Sequence, residues 1–283
     1  MVSRRYRRRR GQKRKTRRTR RSKQRGGAPD LIYSTPDDSG LKVFTSSDRM
    51  KPTLSVLLDS LKKHKYSYEV LGFGKPWQGF KTKIENYLEG MKRYEAEKGP
   101  DALAIFVDAF DVICIKDSDK LLKTYKEKPR PMPVTFGAEI ACFNNCYKDT
   151  MNWYDTHSLL GGRKAIESTL KAVNGGKDYM SETPIFMNTG FIIGPVSKLA
   201  QMFTEISQTP FEEDDQYTAG KWAVQHLDAF DMDIEETMIR NKLIPREKLP
   251  DEDGEQGPAF LHFPGSRSNE QQKENFVRYL NYK

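Results

Sequence analysis

The stretch Ala104-Ile-Phe-Val-Asp-Ala-Phe-Asp-Val-Ile113 indicates both the fold of this chain and a candidate site. An apolar run typical of a buried strand ends in two carboxylates, Asp108 and Asp111, spaced D-x-x-D. In an open α/β sheet, ligands bind just outside the carboxyl ends of the strands. Two acids on one turn can share a hard divalent cation and leave its other positions to phosphate oxygens and water. The stretch therefore predicts a strand-end metal site that could hold a nucleotide diphosphate.

Strand and helix patterns alternate along the rest of the chain. The predicted strands are 41–45, 68–71, 102–107, 134–136, 186–194 and 259–262, with a polar turn at the start of the fifth. The predicted helices are one capped by Ser46, Ser47 or Asp48, then 81–97, one capped by Ser118, then 196–208, 213–225 and 270–280. Residues 144–183 are predicted to form loops and short helices over the sheet. The alternation predicts an α/β fold with a mostly parallel central sheet flanked by helices.

The positive charge of the chain is concentrated at its start. Residues 1–27 hold 15 of the 48 Lys and Arg residues and no acid, which leaves 33 basic against 39 acidic residues elsewhere. Because so polar a segment cannot bury a core, residues 1–40 are predicted to be a disordered arm and linker before one domain over 41–283. The arm lacks the apolar region of a signal peptide, and no apolar run is long enough for a membrane span. Its charges predict non-specific contact with polyanions.

The three cysteines, Cys114, Cys142 and Cys146, are too few for a disulfide framework. A C-x3-C pair without a second pair does not indicate zinc. The cysteines are therefore predicted to be reduced, partly buried thiols.

A further element of the candidate site is His262, within Phe260-Leu-His-Phe-Pro-Gly265. A histidine between apolar residues is more often part of the core than a ligand, but this one ends a predicted strand. Together with the two acids it would form an O,O,N set that suits Mn²⁺ or Mg²⁺. Gly265 would let backbone N–H groups approach a phosphate, and Arg267 could add a positive charge.

Two polar segments could contact a sugar. The acidic run Glu212-Glu-Asp-Asp-Gln216 suits a solvated helix start, where the helix dipole favours negative charge. Alternatively, Asp214, Asp215 or the glutamine reaches the sugar. Asn188 lies two residues before Gly190 at the start of a predicted strand, which can be a turn, and its amide also suits a sugar hydroxyl.

The order of these motifs resembles that of the glycosyltransferase domain of the procollagen lysyl hydroxylases, over roughly residues 41–283. The matching motifs are, in chain order, Gly72-Phe-Gly-Lys-Pro-Trp77, Thr82-Lys-Ile-Glu85, Asp108-Ala-Phe-Asp-Val112, Phe136-Gly-Ala-Glu-Ile-Ala-Cys-Phe143, Met187-Asn-Thr-Gly-Phe-Ile-Ile-Gly194, Asp214-Asp-Gln-Tyr217 and His262-Phe-Pro-Gly265. Each motif is weak by itself, but seven in the same order make a specific match.

The resemblance implies a nucleotide-sugar glycosyltransferase fold of type A, a Mn²⁺ cofactor and a UDP-sugar donor. It implies transfer of glucose or galactose, with retention at the anomeric carbon, to hydroxylysine or galactosyl-hydroxylysine of a collagen-like polypeptide. The candidate residues are Asp108, Asp111 and His262 for the metal, Thr45, Trp77, Lys83, Phe110, Gly265 and Arg267 for the donor, and Asn188, Asp214 and Asp215 for the sugar or acceptor.

The chain departs from the family pattern at several positions. Phe110 replaces the tyrosine that packs on uracil, which keeps the stacking face and loses the hydroxyl. Phe143 replaces a tryptophan, Pro264 replaces an asparagine, and Arg267 lies one position before the family's lysine. Without hydroxylase domains or a signal peptide, the chain resembles a giant-virus member more than an animal one, so the host cytoplasm or the virion is the expected location.

Two other functions fit the same residues. A related transferase could use the metal site on a glycan acceptor, and activity on Gly-X-hydroxylysine peptides against simple sugars would separate the two. The chain could also be a non-catalytic polyanion-binding protein on a transferase scaffold. The acidic body and the predicted terminal helix are compatible with a homodimer.

Overall fold

Six strands form the central sheet of the protein, in a computed structural model that describes residues 41–128, 132–142, 147–173, 178–208, 215–242, 254, 257–265 and 276–277. These strands are β1 (Leu41–Ser46), β2 (Ser67–Leu71), β3 (Leu103–Val107), β5 (Val134–Glu139), β9 (Phe186–Pro195) and β10 (Phe230–Asp233). Their spatial order is β10-β5-β9-β3-β1-β2. Every neighbouring pair is parallel except the two that involve β9. The predicted α/β fold with a mostly parallel central sheet is confirmed.

Two smaller sheets use the remaining strands. One has the order β11-β12-β4 and contains β4 (Val112–Cys114), β11 (Ile239–Asn241) and β12 (Phe260–His262). The other has the order β6-β8-β7 and contains β6 (Ala141–Cys142), β7 (Lys171–Val173) and β8 (Asp178–Met180). The first of these sheets matters for the site, because β4 begins directly after Asp111 and β12 ends in His262.

The helices of the described residues are α1 (Pro52–Lys63), α2 (Phe80–Lys98), α3 (Ser118–Glu127), α4 (Tyr147–His157), α5 (Gly162–Glu167), α6 (Val196–Gln208) and α7 (Asp215–Gln225), with a 3₁₀ turn at Leu159–Gly161. In α1 the buried leucines recur at helical spacing and form one apolar face. No helix of the described ranges is both long and apolar enough to cross a membrane.

Two apolar cores lie on opposite faces of the central sheet. Along β3, Ala104 and Phe106 belong to one core and Ile105 and Val107 to the other, since successive side chains of a strand point to opposite faces. Helices α2, α6 and α7 pack in the first core, and α1, α3 and the β11-β12-β4 sheet pack in the second. The sheet is therefore covered on both faces, and its strand ends are left to form the site.

Two local predictions for the central sheet region are wrong. None of Ser46, Ser47 and Asp48 caps α1, which begins at Pro52 after Lys51, because the fixed φ of proline suits the first helical position. The polar turn expected before Gly190 is absent, since Asn188 lies inside β9. A register shift opposite it, between Phe136 and Gly137 of β5, lets the strand continue.

The region 144–183 and the cysteines also differ from expectation. The described part of this region contains helices, but also the strands β7 and β8, and Trp153 of α4 is fully buried. Cys142 is disulfide-bonded rather than a reduced thiol, whereas Cys114 is free and buried. The predicted arm over 1–40 lies outside the described residues, as does the predicted terminal helix except for residues 276–277.

Candidate functional site

The three predicted metal ligands converge at the carboxyl end of the central sheet. Asp108 directly follows β3, Asp111 directly precedes β4, and His262 ends β12. One potential ligand atom from each lies within 4.8 Å of the other two. The Nε2 atom of His262 is 3.7 Å from both Asp108 Oδ2 and Asp111 Oδ1. Because bonds from a small divalent cation to its ligands are about 2 Å, these separations leave room for an ion between the three side chains.

Backbone hydrogen bonds hold the two acids in place. The N–H of Asp108 donates to the carbonyl of Gly190 in β9 at 3.1 Å. The carbonyl of Asp111 accepts from the N–H of Phe263 at 2.8 Å, which joins the D-x-x-D turn to the end of β12. Asp111 and Phe263, which are 152 positions apart in the chain, are thus fixed next to one another by a main-chain contact.

The imidazole of His262 is oriented so that its Nε2 atom can bind a cation. Its Nδ1 lies 2.6 Å from the side-chain oxygen of Asn241, so Nδ1 carries the proton and Nε2 keeps its lone pair. The ring is 2 % exposed, and its Nε2 has no hydrogen-bond partner among the described residues. Burial, with a smaller contribution from Lys83, lowers the pKa of His262 to about 4 against the opposing effect of Asp108, so the ring is neutral at pH 7. A buried nitrogen lone pair that faces two carboxylates fits a divalent metal ion.

Lys83 of α2 joins the metal cluster to the acidic run. Its Nζ lies 2.5 Å from Asp108 Oδ1 and 2.6 Å from Asp215 Oδ2. Burial would lower the pKa of Lys83, but the charges of Asp108 and Asp215 outweigh burial and hold that pKa well above its usual value. The amine is therefore a permanent cation that balances part of the negative charge of the site.

A hydrogen-bond network extends the site toward α7. Asp215 is the first residue of α7, and its Oδ2 also accepts from Thr189 Oγ1 at 3.5 Å. The side-chain amide of Asn188 donates to Gln216 Oε1 at 3.3 Å, and its oxygen accepts from the N–H of Gly190 at 2.8 Å. Gln216 in turn donates to the buried Glu139 at 2.7 Å. The side chains at this end of the sheet are thus held in fixed orientations.

These residues surround an open cavity of about 290 Å³. It is lined by Ser46, Trp77, Phe80, Lys83, Asp108, Ala109, Asp111, Asn188, Thr189, Gly190, Asp215, Gln216, His262, Pro264 and Gly265. Trp77 and Phe80 present exposed rings whose centroids are 6.4 Å apart. Gly265 has φ +78°, which favours glycine. Seven of the candidate residues named from the sequence line this cavity together with Gly265.

Two candidate residues among those described do not line the cavity. Thr45 is 1 % exposed and does not line the cavity, whereas its neighbour Ser46 lines it. Phe110 is 8 % exposed and packs in the core, with Lys51 Nζ 4.2 Å from its ring centroid. Asp214 and Arg267 lie outside the described residues.

Sequence reasoning did not identify Asn241, Phe80 or Thr189 as site residues. Thr189 lies inside the recognised motif Met187–Gly194, and Phe80 lies between two recognised motifs, two positions before Thr82, so both were within reach of the sequence. Asn241 stands in Ile239-Arg-Asn-Lys242, which carries no chemical signature, and its place beside His262 depends on pairing between β11 and β12.

The central sheet, with one reversed strand, carries an acid–acid–histidine cluster at its carboxyl edge, and this site could hold a metal ion. Residues 37–151 match the family model of the PLOD GT domain. The resemblance inferred from the motifs is confirmed there.

One relative is similar in sequence. The multifunctional procollagen lysine hydroxylase and glycosyltransferase of Caenorhabditis elegans is 32% identical over 124 residues, which cover 41% of this chain and 17% of that protein. The match thus spans less than a fifth of the worm protein.

Two solved structures are similar in fold. A glycosyltransferase involved in glycosylation of the major capsid of PBCV-1 has a TM-score of 0.44 at 10% identity, over 84% of this chain and 98% of that one. Mouse xyloside xylosyltransferase 1 has a TM-score of 0.42 at 9% identity, over 78% and 96%. Likenesses this distant carry no argument about function.

Proposed function

We propose that this protein is a Mn²⁺-dependent hexosyltransferase that uses a UDP-sugar, with glucose favoured over galactose. Its acceptor would be hydroxylysine or galactosyl-hydroxylysine of a collagen-like polypeptide. The observation that carries the proposal is the cluster of Asp108, Asp111 and His262 at the strand ends, within 4.8 Å of one another and open to a cavity. The match to the PLOD GT domain and the name of the worm relative, which mentions procollagen lysine, support a glycosyltransferase with this class of acceptor.

The metal-binding residues would act on the leaving group. Asp108, Asp111 and His262 would hold the cation, which when bound neutralises charge on the departing diphosphate. Gly265 lines the same cavity with φ +78°, so its backbone can approach a phosphate closely. Trp77, exposed at the cavity, would pack against the donor.

Positioning of the sugar and the acceptor would fall to the network on the other side of the cavity. Asn188 and Asp215 would orient hydroxyl groups, and their own hydrogen bonds fix their side chains before substrate arrives. Asp215 is paired with Lys83, which suits a carboxylate that orients a hydroxyl more than one that attacks the sugar. The proposal is therefore front-face departure and attack, with retention of configuration.

The test is UDP release from UDP-glucose and UDP-galactose, with Mn²⁺ or a chelator, and with or without a Gly-X-hydroxylysine peptide. Release that requires Mn²⁺, depends on the peptide and prefers one donor is the expected result. Asp111→Asn, which removes a charged ligand and keeps the side-chain shape, is the matched inactive control. Mn²⁺-dependent release that only a glycan acceptor stimulates would contradict the proposed acceptor. The absence of both turnover and UDP binding would contradict the proposal that the protein is an enzyme.

A further inference from the structure

Asn241 joins the histidine of the metal cluster to the central sheet. It is the last residue of β11 and lies opposite His262 in the parallel pairing of β11 with β12. Its Oδ1 lies 2.6 Å from His262 Nδ1, and its Nδ2 donates to the carbonyl of Ala138 in β5 at 2.6 Å. The side chain is nearly inaccessible, with 4 % of the residue exposed. Both polar atoms of the amide are therefore engaged away from solvent.

These two contacts determine the orientation of the amide. A backbone carbonyl can only accept a hydrogen bond, so the group that faces Ala138 must be the NH₂ of Asn241. Its oxygen then has to face His262, and an oxygen can only accept there. The imidazole must consequently donate from Nδ1, which leaves the Nε2 lone pair directed at Asp108 and Asp111. With the other tautomer, Nε2–H would occupy the position that a cation needs.

We propose that Asn241 is a positioning residue that sets the tautomer and the ring orientation of His262 for metal binding, an inference that rests on the proposed metal role of His262. Hydrogen bonds of this kind to metal-binding histidines orient the ring and strengthen the ligand. The bond to Ala138 gives Asn241 a second effect. It fastens the small sheet that carries His262 to the central sheet, in which β3 ends next to Asp108.

Gly190 confines the Nδ1–Cε1 edge of the ring as well. A Cβ atom on Gly190 would lie 2.2 Å from His262 Cε1 and 2.5 Å from Nδ1, so only glycine admits the imidazole at this distance. Gly190 belongs to β9 and Ala138 to β5, which are neighbouring strands. Gly190 and Asn241 thus both restrict the position of the ring, and the amide of Asn241 is the part of this arrangement that selects the tautomer.

The experiment measures tautomer and metal affinity separately in the full chain. ¹⁵N-histidine labelling gives one imidazole pattern for each of the four histidines, and a His262→Gln variant assigns the one of interest. His157 and His226 serve as internal references, because each donates from Nδ1 to a backbone carbonyl at 2.8 Å. Mn²⁺ affinity is measured by paramagnetic resonance without nucleotide, at pH 7.

Two variants separate a positioning role from a merely structural one. Asn241→Leu has a similar shape but no polar atom, so His262 should lose its Nδ1–H pattern and the Mn²⁺ dissociation constant should rise about 10- to 100-fold. Asn241→Asp keeps an acceptor at Nδ1, so the Nδ1–H pattern should remain. Asn86→Leu is the matched control, since Asn86 is equally buried but bonds Ser46 rather than His262, and it should change neither readout.

The outcomes that would overturn the inference are specific. An Asn241→Leu protein that keeps the Nδ1–H tautomer and a Mn²⁺ affinity within about twofold of the parent would show that Asn241 does not position the ring. Failure of the parent protein to bind Mn²⁺ would instead refute the proposed metal site, and the tautomer data would still decide the role of Asn241.

Discussion

Replacing Gly190 by alanine should disable the metal site by displacing His262, and the added Cβ would also lie 2.8 Å from Asn188 Oδ1. The added Cβ would lie 2.2 Å from Cε1 of His262, whereas ordinary van der Waals contacts begin at 3.4 Å, so the ring would have to move by about 1 Å. Metal–ligand distances tolerate only about 0.2 Å, so such a ring could not bind the same ion as Asp108 and Asp111. Backbone movement of β9 is restricted, because the carbonyl of Gly190 accepts a hydrogen bond from Asp108 and the next residue, Phe191, pairs with Val107 of β3.

The expected loss is at least about 100-fold in Mn²⁺ affinity, which corresponds to about 2.8 kcal/mol. The added methyl group should also lower the free energy of unfolding by about 1–3 kcal/mol, the usual cost of overpacking. Paramagnetic resonance titration gives the affinity, and urea unfolding gives the stability. Both are measured without nucleotide, so that a defect in donor binding does not enter.

Gly194→Ala is the matched control for this prediction. It lies in the same strand, and its Cβ would be 2.6 Å from the carbonyl oxygen of Pro133, so it should destabilise the fold without reaching the metal cluster. A Gly190→Ala protein that binds Mn²⁺ as tightly as Gly194→Ala does would refute the reasoning, because the crowding at His262 would then have no effect on coordination.

Four further predictions follow from the site and the arm. Asp111→Asn should abolish Mn²⁺-dependent UDP binding and turnover, with a melting temperature near that of the parent. Substantial turnover by a variant that calorimetry shows to be folded would reject Asp111 as a metal ligand. Trp77→Ala removes a ring that is 36 % exposed, so it should lower the melting temperature by only about 1–2 °C. It should raise the KM for the donor about fivefold, which is equivalent to about 1 kcal/mol of stacking. A large drop in melting temperature would place Trp77 in the core. Lys83→Met leaves Asp108 and Asp215 without the cation they share, so the metal-free protein should lose about 3–5 kcal/mol of stability. Mn²⁺ should raise the melting temperature of this variant more than that of the parent. Equal rises in melting temperature would show that Lys83 and Mn²⁺ do not neutralise the same carboxylates. Deleting residues 1–27 should abolish salt-sensitive retention on DNA and leave transfer intact, and loss of transfer would show that the arm contributes to catalysis.

The parts of the site that the sequence predicts are those encoded by short-range pattern. Asp108 and Asp111 follow an apolar run on a single turn, so their closeness is a local property of the chain. The partner His262 could be proposed because it ends another strand, and strand ends of an α/β sheet meet at one edge. Each of these inferences needs only the period of a strand and the topology of the fold.

The missed parts depend on contacts that no local pattern encodes. Asn241 acts through a carbonyl more than 100 positions earlier and a histidine 21 positions later. The strand β10 escaped prediction because two of its four residues are acids, and burial of Asp233 is possible only because it accepts hydrogen bonds from Thr237, Met238 and Ile239. Similarly, Asn188 suggested a turn because the register shift beside it, where one step from Phe136 to Gly137 in β5 spans Ile192 to Asn188 in β9, depends on pairing with a strand distant in sequence.

The buried position of Phe110 illustrates a different difficulty, the direction in which a side chain of a turn points. Its position between the two acids suggests that its ring contacts the nucleotide donor. Packing of this ring on uracil stays a prediction. In the structure the D-x-x-D turn directs this ring into the core beside α1, where Lys51 covers one face. Which way the middle residues of such a turn point is determined by the surfaces available on either side, and those are formed by distant elements.

The most direct test of the account is the anomalous diffraction of crystals soaked with Mn²⁺ and UDP. The account predicts one strong peak bonded at about 2.0–2.3 Å to carboxylate oxygens of Asp108 and Asp111 and to Nε2 of His262, with diphosphate oxygens completing the coordination. A Mn²⁺ peak that excludes His262, or UDP bound in the cavity without any ion at this cluster, would contradict it.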